Sequence, residues 1–270
     1  MVFLWFLPVP ILTALYLLAL RGRRKHPDLA ALRGWYYAHR GLHAEGLPEN
    51  SLGAFRAALE QGYGAELDVH LMADGNLAVI HDSSLLRTAN ASVAIEDLTA
   101  EQLKNYPLTG SRECIPTLEQ VLALFAGAAP LIIELKPAKG NHAALTQRVC
   151  QVLSDFPGTY ALESFDPRCL HWLKKHAPQM LRGQLSENFL CRNPKFLPRI
   201  LQFAASFLWL NALSRPDFVA YRFSDRKHIS CRLCRKLWGL QGVAWTITSK
   251  EDLGKACKEG WIPIFENIDF

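Results

Sequence analysis

The first twenty residues carry no charged side chain, and the basic residues Arg21, Arg23, Arg24 and Lys25 follow at once. A run this apolar has no polar face to turn toward water, and at about 1.5 Å per residue it reaches roughly 30 Å, the hydrocarbon thickness of a bilayer. The pattern predicts a transmembrane anchor over residues 1–20 and a basic juxtamembrane linker over 21–34. Pro8 and Pro10 are tolerated near one end of a membrane helix. Positive charge lies after the run, the reverse of a cleaved signal peptide, so the remainder is expected on the cytoplasmic side of a single-pass membrane protein.

From residue 35 onward the pattern changes to short apolar runs separated by amphipathic stretches. Runs at 36–39, 65–69, 77–81, 131–136, 160–165, 181–185, 218–223 and 242–248 read as strands, with a further one at 262–265. The helices between them carry recognisable punctuation. Asn50 or Ser51 can cap a helix with Leu52, Phe55 and Leu59 on one stripe, ended by Gly62. Thr117 with Gln120 makes a capping box, and Asp166 caps a helix with Pro167 at its first position. Strands alternating with helices predict an α/β protein with a mainly parallel sheet. About eight strands over residues 35–270 fit a (β/α)8 TIM barrel better than an open sheet. The turn at Asp74 and Gly75 leaves no room for a helix, so one βα unit is expected to be irregular.

Composition narrows the reading further. The chain has 270 residues, 50% hydrophobic and 20% charged, which excludes collagenous, low-complexity and disordered classes. Its net charge of +5 is dispersed and gives no case for nucleic acid. Seven cysteines at irregular spacing argue against a disulfide framework and for a reducing compartment. Cys231 and Cys234, with His228 nearby, have zinc-like spacing but no second pair to complete a site. Arg222, Arg226, Lys227, Arg232, Arg235 and Lys236 form a basic stretch, read as a solvated helix face or a contact for anionic lipid headgroups. The uncharged residues 203–213 read as a buried barrel helix, with a bilayer-dipping segment as the alternative.

Chemistry-bearing residues recur where strands end. His39, Arg40 and Gly41 close the first run, and His81 and Asp82 close the third. Glu66 and Asp68 are two apart, as are Glu134 and Lys136, so each pair projects to one face of its strand. Neighbouring inward carboxylates repel unless a cation holds them, and three hard oxygen donors suit Mg²⁺ or Ca²⁺. In a barrel, the C-terminal strand ends are where reacting groups converge.

These residues, with Pro48-Glu49-Asn50-Ser51, Leu86-Arg87-Thr88, Ile115-Pro116-Thr117-Leu118-Glu119, Ser164-Phe165 and Trp245-Thr246, resemble the glycerophosphodiester phosphodiesterase family signature, in order, over most of residues 35–245. The resemblance implies a phospholipase-C-like TIM barrel that hydrolyses glycerophosphodiesters to an alcohol and sn-glycerol 3-phosphate. It places His39 and His81 in acid–base roles and Glu66, Asp68 and Glu134 as ligands of one divalent cation. It places Arg40 on the phosphate, with Lys136 and Trp245 as further substrate contacts. Glu49 fits two roles, support of the site or first-turn stabilisation of the next helix. The chain departs from the family at Ile264-Phe265-Glu266-Asn267, which leaves the last strand and any substrate contact from it open. Two alternatives use the same residues: a phospholipase-D-type activity on lysophospholipids, and an idle barrel that binds phospholipid headgroups.

Overall fold

The computed structural model describes residues 8–23, 26–192, 194–195 and 197–268. Nine strands make one sheet: β1 (Tyr37–His39), β2 (Gly64–Leu71), β3 (Leu77–Val79), β4 (Leu131–Leu135), β5 (Tyr160–Ser164), β6 (Arg182–Ser186), β7 (Phe218–Arg222), β8 (Gln241–Ile247) and β9 (Trp261–Phe265). All but β3 run parallel and close into a barrel, because β1 pairs with β2 on one side and β9 on the other. The (β/α)8 expectation therefore holds, and 262–265 supplies the closing strand. The irregular unit is where the Asp74–Gly75 turn predicts it. There β3 folds back antiparallel on β2, pairing Val69 with Val79.

A period of two divides each strand between two environments. Ala65, Leu67 and Val69 of β2 and Leu131, Ile133 and Leu135 of β4 pack outward with helical residues such as Phe55, Val121 and Phe125. The alternate positions line the barrel: Tyr37, Ile132, Ala161, Phe218, Val243 and Ile264 form an interior cluster. On the same inward parity stand Glu66, Asp68, Glu134 and Glu163, all buried. Apolar side chains fill the N-terminal half of the barrel, and ionisable ones occupy its C-terminal mouth. Helix starts follow the sequence signals: Ser51 accepts from Ala54 N, Thr117 and Gln120 complete their capping box, and Asp166 accepts from Arg168 N.

The membrane anchor is overturned. Residues 1–7 of the expected anchor lie outside the described residues, and its remainder forms a helix over Pro8–Ala19 of only 12 residues. Among the described residues no helix is long and apolar enough to cross a membrane. The apolar character is used in part against the barrel itself. Leu20 is fully buried with Val219, Tyr221 and Leu240. The Tyr16 ring packs at a tilt against Trp209, 4.8 Å between centroids, and Trp238 Nε1 donates to Leu17 O at 2.9 Å. Arg23 does not wait for a headgroup but pairs with Asp217 at 2.6 Å. The single-pass placement, and the cytoplasmic orientation inferred from it, accordingly fall. The 203–213 segment is buried only in part: Leu208 is buried and Phe207 packs edge-on against His228, while Phe203 and Leu213 remain exposed. Cys231 and Cys234 are both buried on the inner face of the helix Ile229–Lys236, as core residues rather than ligands.

One inward position has no room for a side chain. A Cβ on Gly183 would lie 2.0 Å from the Phe218 ring, its partner on the neighbouring strand. Gly183→Ala is expected to destabilise by about 1–3 kcal/mol through overpacking of a closed interior. Thermal unfolding followed by circular dichroism measures this, and an unchanged Tm would mean that Phe218 moves aside freely.

Candidate active site

The His-Arg-Gly turn after β1 is built on left-handed backbone, at Arg40 (φ 56°) and Gly41 (φ 81°). A Cβ on Gly41 would meet the Ala54 backbone at 2.8 Å, so only glycine lets the turn lie against the next helix. This returns the chain so that Arg40 O accepts from Asn50 N at 2.8 Å. Asn50 in turn donates its amide to Asp68 Oδ2 at 3.0 Å.

A cavity of ≈ 220 Å³ opens at the C-terminal mouth of the barrel, lined by His39, Arg40, Glu66, His81, Glu134, Lys136 and Glu163, with Phe165, Leu185, Trp245 and Ile264 as an apolar wall. Of the residues to which the resemblance gives catalytic, metal or substrate roles, all line it except Asp68, which is buried at 1% exposure. Oxygens of Glu66, Asp68 and Glu134 lie within 4.8 Å of one another, a carboxylate triad of the size that holds a metal ion.

Electrostatics sort these carboxylates. Burial alone would raise Asp68, but Lys136 and Arg40 hold its carboxyl far below the ordinary carboxylate range. Lys136 Nζ is 3.1 Å from Asp68 and 2.9 Å from Glu134, and despite burial these anions keep its ammonium above its usual value. Among the described residues Glu66 has no side-chain cation in hydrogen-bond contact and accepts only from Arg40 N, at 3.2 Å. Burial and its anionic neighbours push Glu66 well above the ordinary value, and push Glu134 up to about 7. Four acidic side chains thus share two cations, and a divalent ion fits that deficit of positive charge. The all-oxygen donor set fits a hard ion.

Both histidines are held by a carboxylate on Nδ1. His81 Nδ1 lies 2.6 Å from Asp82 Oδ1, and His39 Nδ1 lies 2.7 Å from Glu266 Oε2. An acceptor there assigns the proton to Nδ1 and leaves Nε2 as the free nitrogen. His39 Nε2 is 3.9 Å from Glu66 Oε2. Burial pushes the His81 imidazole below its ordinary range, although Asp68 and Asp82 oppose it. Around the rim, Asp82 accepts from Arg87 Nε, and Arg87 makes a fork to both Glu49 oxygens at 2.7 and 3.0 Å. Glu49 also accepts from Arg40 Nη1 at 3.0 Å. The chain His81–Asp82–Arg87–Glu49–Arg40 is therefore continuous, and of the two roles open to Glu49 the geometry uses the support role.

Four participants escape the sequence reading. Glu266 falls in the stretch that departs from the family pattern, yet it shares the inward parity of Ile262 and Ile264. Glu163 pairs in register with Glu134. Its Oε2 has no hydrogen-bond partner among the described residues, and burial beside Glu134 raises its carboxyl well above the usual value. Inward parity would have found both. Arg87, quoted only as part of a motif, joins the two halves of the site. His70, inward on β2, meets the His81 carbonyl at 3.2 Å through Nε2, where only the ring can donate, and its Nδ1 lies 2.7 Å from Glu96; its partners lie 11 and 26 residues away, and no local pattern marks them.

Barrel, inward carboxylate triad and two anchored histidines define a class of phosphodiester-cleaving enzyme. Comparison with known proteins narrows it. A sequence model of the Glycerophosphoryl diester phosphodiesterase family matches residues 39–217. The chain is 29% identical to a glycerophosphodiester phosphodiesterase of Caldanaerobacter subterraneus subsp. tengcongensis, over 83% of this chain and 89% of that one. It is 33% identical to glycerophosphodiester phosphodiesterase 1 of Bos taurus, over 92% of this chain and 78% of that one. A phosphodiesterase of Oleispira antarctica, solved in complex with the product sn-glycerol-3-phosphate, superposes with a TM-score of 0.72 at 23% identity, covering 88% of this chain and 94% of that one. The chain belongs to the glycerophosphoryl diester phosphodiesterase family.

Proposed function

We propose that this protein hydrolyses glycerophosphodiesters to an alcohol and sn-glycerol 3-phosphate, as a step in glycerophospholipid metabolism. The observation that carries this reading is that two carboxylate-anchored histidines share one cavity of ≈ 220 Å³ with Glu66 and Glu134, whose oxygens lie within 4.8 Å of each other and of Asp68. Family membership and relatives with that activity agree with it.

A phosphodiester is anionic and its alkoxide leaving group is poor, so the site must neutralise charge and move two protons. Arg40 and Lys136 line the cavity as fixed cations and bind the phosphoryl oxygens. Glu66, Asp68 and Glu134 would hold one Mg²⁺ or Ca²⁺, which when bound neutralises phosphoryl charge and stabilises the transition state. One imidazole takes the proton of the nucleophile, a water or the substrate's own glycerol hydroxyl, and the other protonates the departing oxygen. His81, unprotonated at neutral pH, is the form that accepts a proton. Glu266 and Asp82 orient the rings. Phe165 and Trp245, edge to face at 5.6 Å, form an apolar wall of the cavity and serve as substrate contacts.

The full chain with added Mg²⁺ or Ca²⁺ is expected to release sn-glycerol 3-phosphate from glycerophosphocholine or glycerophosphoethanolamine, measured by a coupled dehydrogenase assay. Release of phosphocholine instead, or of nothing from any glycerophosphodiester, would overturn the reading.

A further inference from the structure

A second concavity lies on the flank of the barrel, between the helix Ile229–Lys236 and the start of β9. It measures ≈ 540 Å³ and is lined by Arg226, Lys227, Arg232, Arg235 and Lys236, with Glu259 as its only acid. Gln241 and Gly242 open β8 and Gly260 precedes β9, while Arg226 and Lys227 follow β7, so the cavity runs along the flank of the barrel and shares no lining residue with the cavity of His39 and His81. Catalysis does not use it.

Two of its cations are fixed in place. The Arg235 guanidinium lies 3.8 Å from the Trp261 ring and donates to Glu259 O at 2.6 Å. A Cβ on Gly242 would sit 2.7 Å from Arg235 Nε and 2.5 Å from Trp261, so glycine there makes the space this stack occupies. Arg226 lies 4.0 Å over Phe223 and donates to the Phe223 carbonyl. Its buried Nε has no hydrogen-bond partner, with Glu259 Oε2 at 3.4 Å. Lys227, Arg232 and Lys236 are exposed, and none is in an ion pair among the described residues. Glu259 offsets one of the five positive charges, so the concavity keeps a net positive charge that favours an anion. Immobilised guanidinium groups present N–H donors in the geometry that phosphate oxygens accept.

We propose that this flank cavity is a second anion site, which takes a phosphate group of at least two negative charges, carried by a free phosphorylated molecule or by a lipid headgroup. It is independent of the catalytic reading, since it shares no residue with that site.

Calorimetric titration of the full chain with inorganic pyrophosphate tests it, in metal-free low-salt buffer with glycerophosphocholine, whose diester carries a single negative charge, present to occupy the catalytic cavity. A saturable site is expected, weakening steeply with salt. Arg232→Ala with Lys236→Ala, both exposed and so tolerated by the fold, should weaken it by about tenfold or more, the worth of one charge-assisted hydrogen bond. Turnover of glycerophosphocholine in phosphate-free buffer should not change. Pyrophosphate binding without retention on mixed phosphatidylglycerol–phosphatidylcholine vesicles assigns a free molecule. Retention that pyrophosphate competes away and the double variant abolishes assigns a headgroup. No saturable binding of either probe, or binding that the double variant leaves intact, overturns the proposal.

Discussion

Alanine at His39 or at His81 is expected to lower kcat for glycerophosphodiester hydrolysis by roughly 10²–10⁴-fold each, the usual contribution of a positioned acid or base. Both side chains are partly exposed at the cavity mouth and leave the apolar core untouched, so the loss should appear in kcat with little change in Tm. The two effects should be far from additive, because a site without either proton carrier has already lost the concerted step. The carboxylates behind the rings give a graded control. Glu266→Gln keeps the size of the acceptor but removes its charge, and a fall of roughly 10–100-fold is expected, as for other residues that orient a functional imidazole. The free-enzyme pH profile separates the roles. Because burial holds His81 below its ordinary range, its basic form persists to lower pH than a solvated histidine would allow. Full activity in either alanine variant would end the assignment of that ring as a proton carrier.

The barrel was legible because its strands are buried on both sides and read as apolar runs bounded by caps and turns. The expected strands lie within two residues of those observed. The carboxylates were legible for a related reason: Glu66-x-Asp68 and Glu134 interrupt apolar strands with the parity that points inward. What stayed hidden depends on contacts across the fold. Glu266 is 227 residues from His39, and Arg87 reaches Glu49 from 38 residues away. The anchor was misread because hydropathy counts apolar residues without asking what they face. Leu20, Tyr16 and Leu17 meet the barrel through contacts with Trp209, Trp238 and Val219 that no local window contains, while Leu12, Leu15 and Leu18 remain exposed. The basic residues after it were equally ambiguous until Asp217 appeared beside Arg23.

Removing the divalent cation is expected to cost the most of all. Chelation by EDTA, or Glu66→Ala or Asp68→Ala at a fixed concentration of Mg²⁺ or Ca²⁺, should reduce turnover by on the order of 10³-fold or more. That corresponds to several kcal/mol of lost charge stabilisation at about 1.4 kcal/mol per decade. The pH dependence of cation binding follows from the triad itself. Glu134 has its carboxyl pushed up to about 7, from an ordinary 4.5, and Glu66 is raised as well. Only the ionised forms ligate, so binding releases protons, and apparent affinity should fall by about tenfold per pH unit below 7 for each proton displaced. The cation-free protein should show the opposite trend in stability. A carboxyl whose folded value is raised contributes stability that is complete below about 4.5 and is lost as pH rises through about 7. The Tm without cation should therefore decline between pH 5 and 8, and saturating Mg²⁺ or Ca²⁺ should raise it more at pH 8 than at pH 5. Calorimetric titration at several pH values, with scanning calorimetry beside it, reads both trends. A cation affinity independent of pH between 5 and 8 would mean that ions bind elsewhere than on Glu66, Asp68 and Glu134.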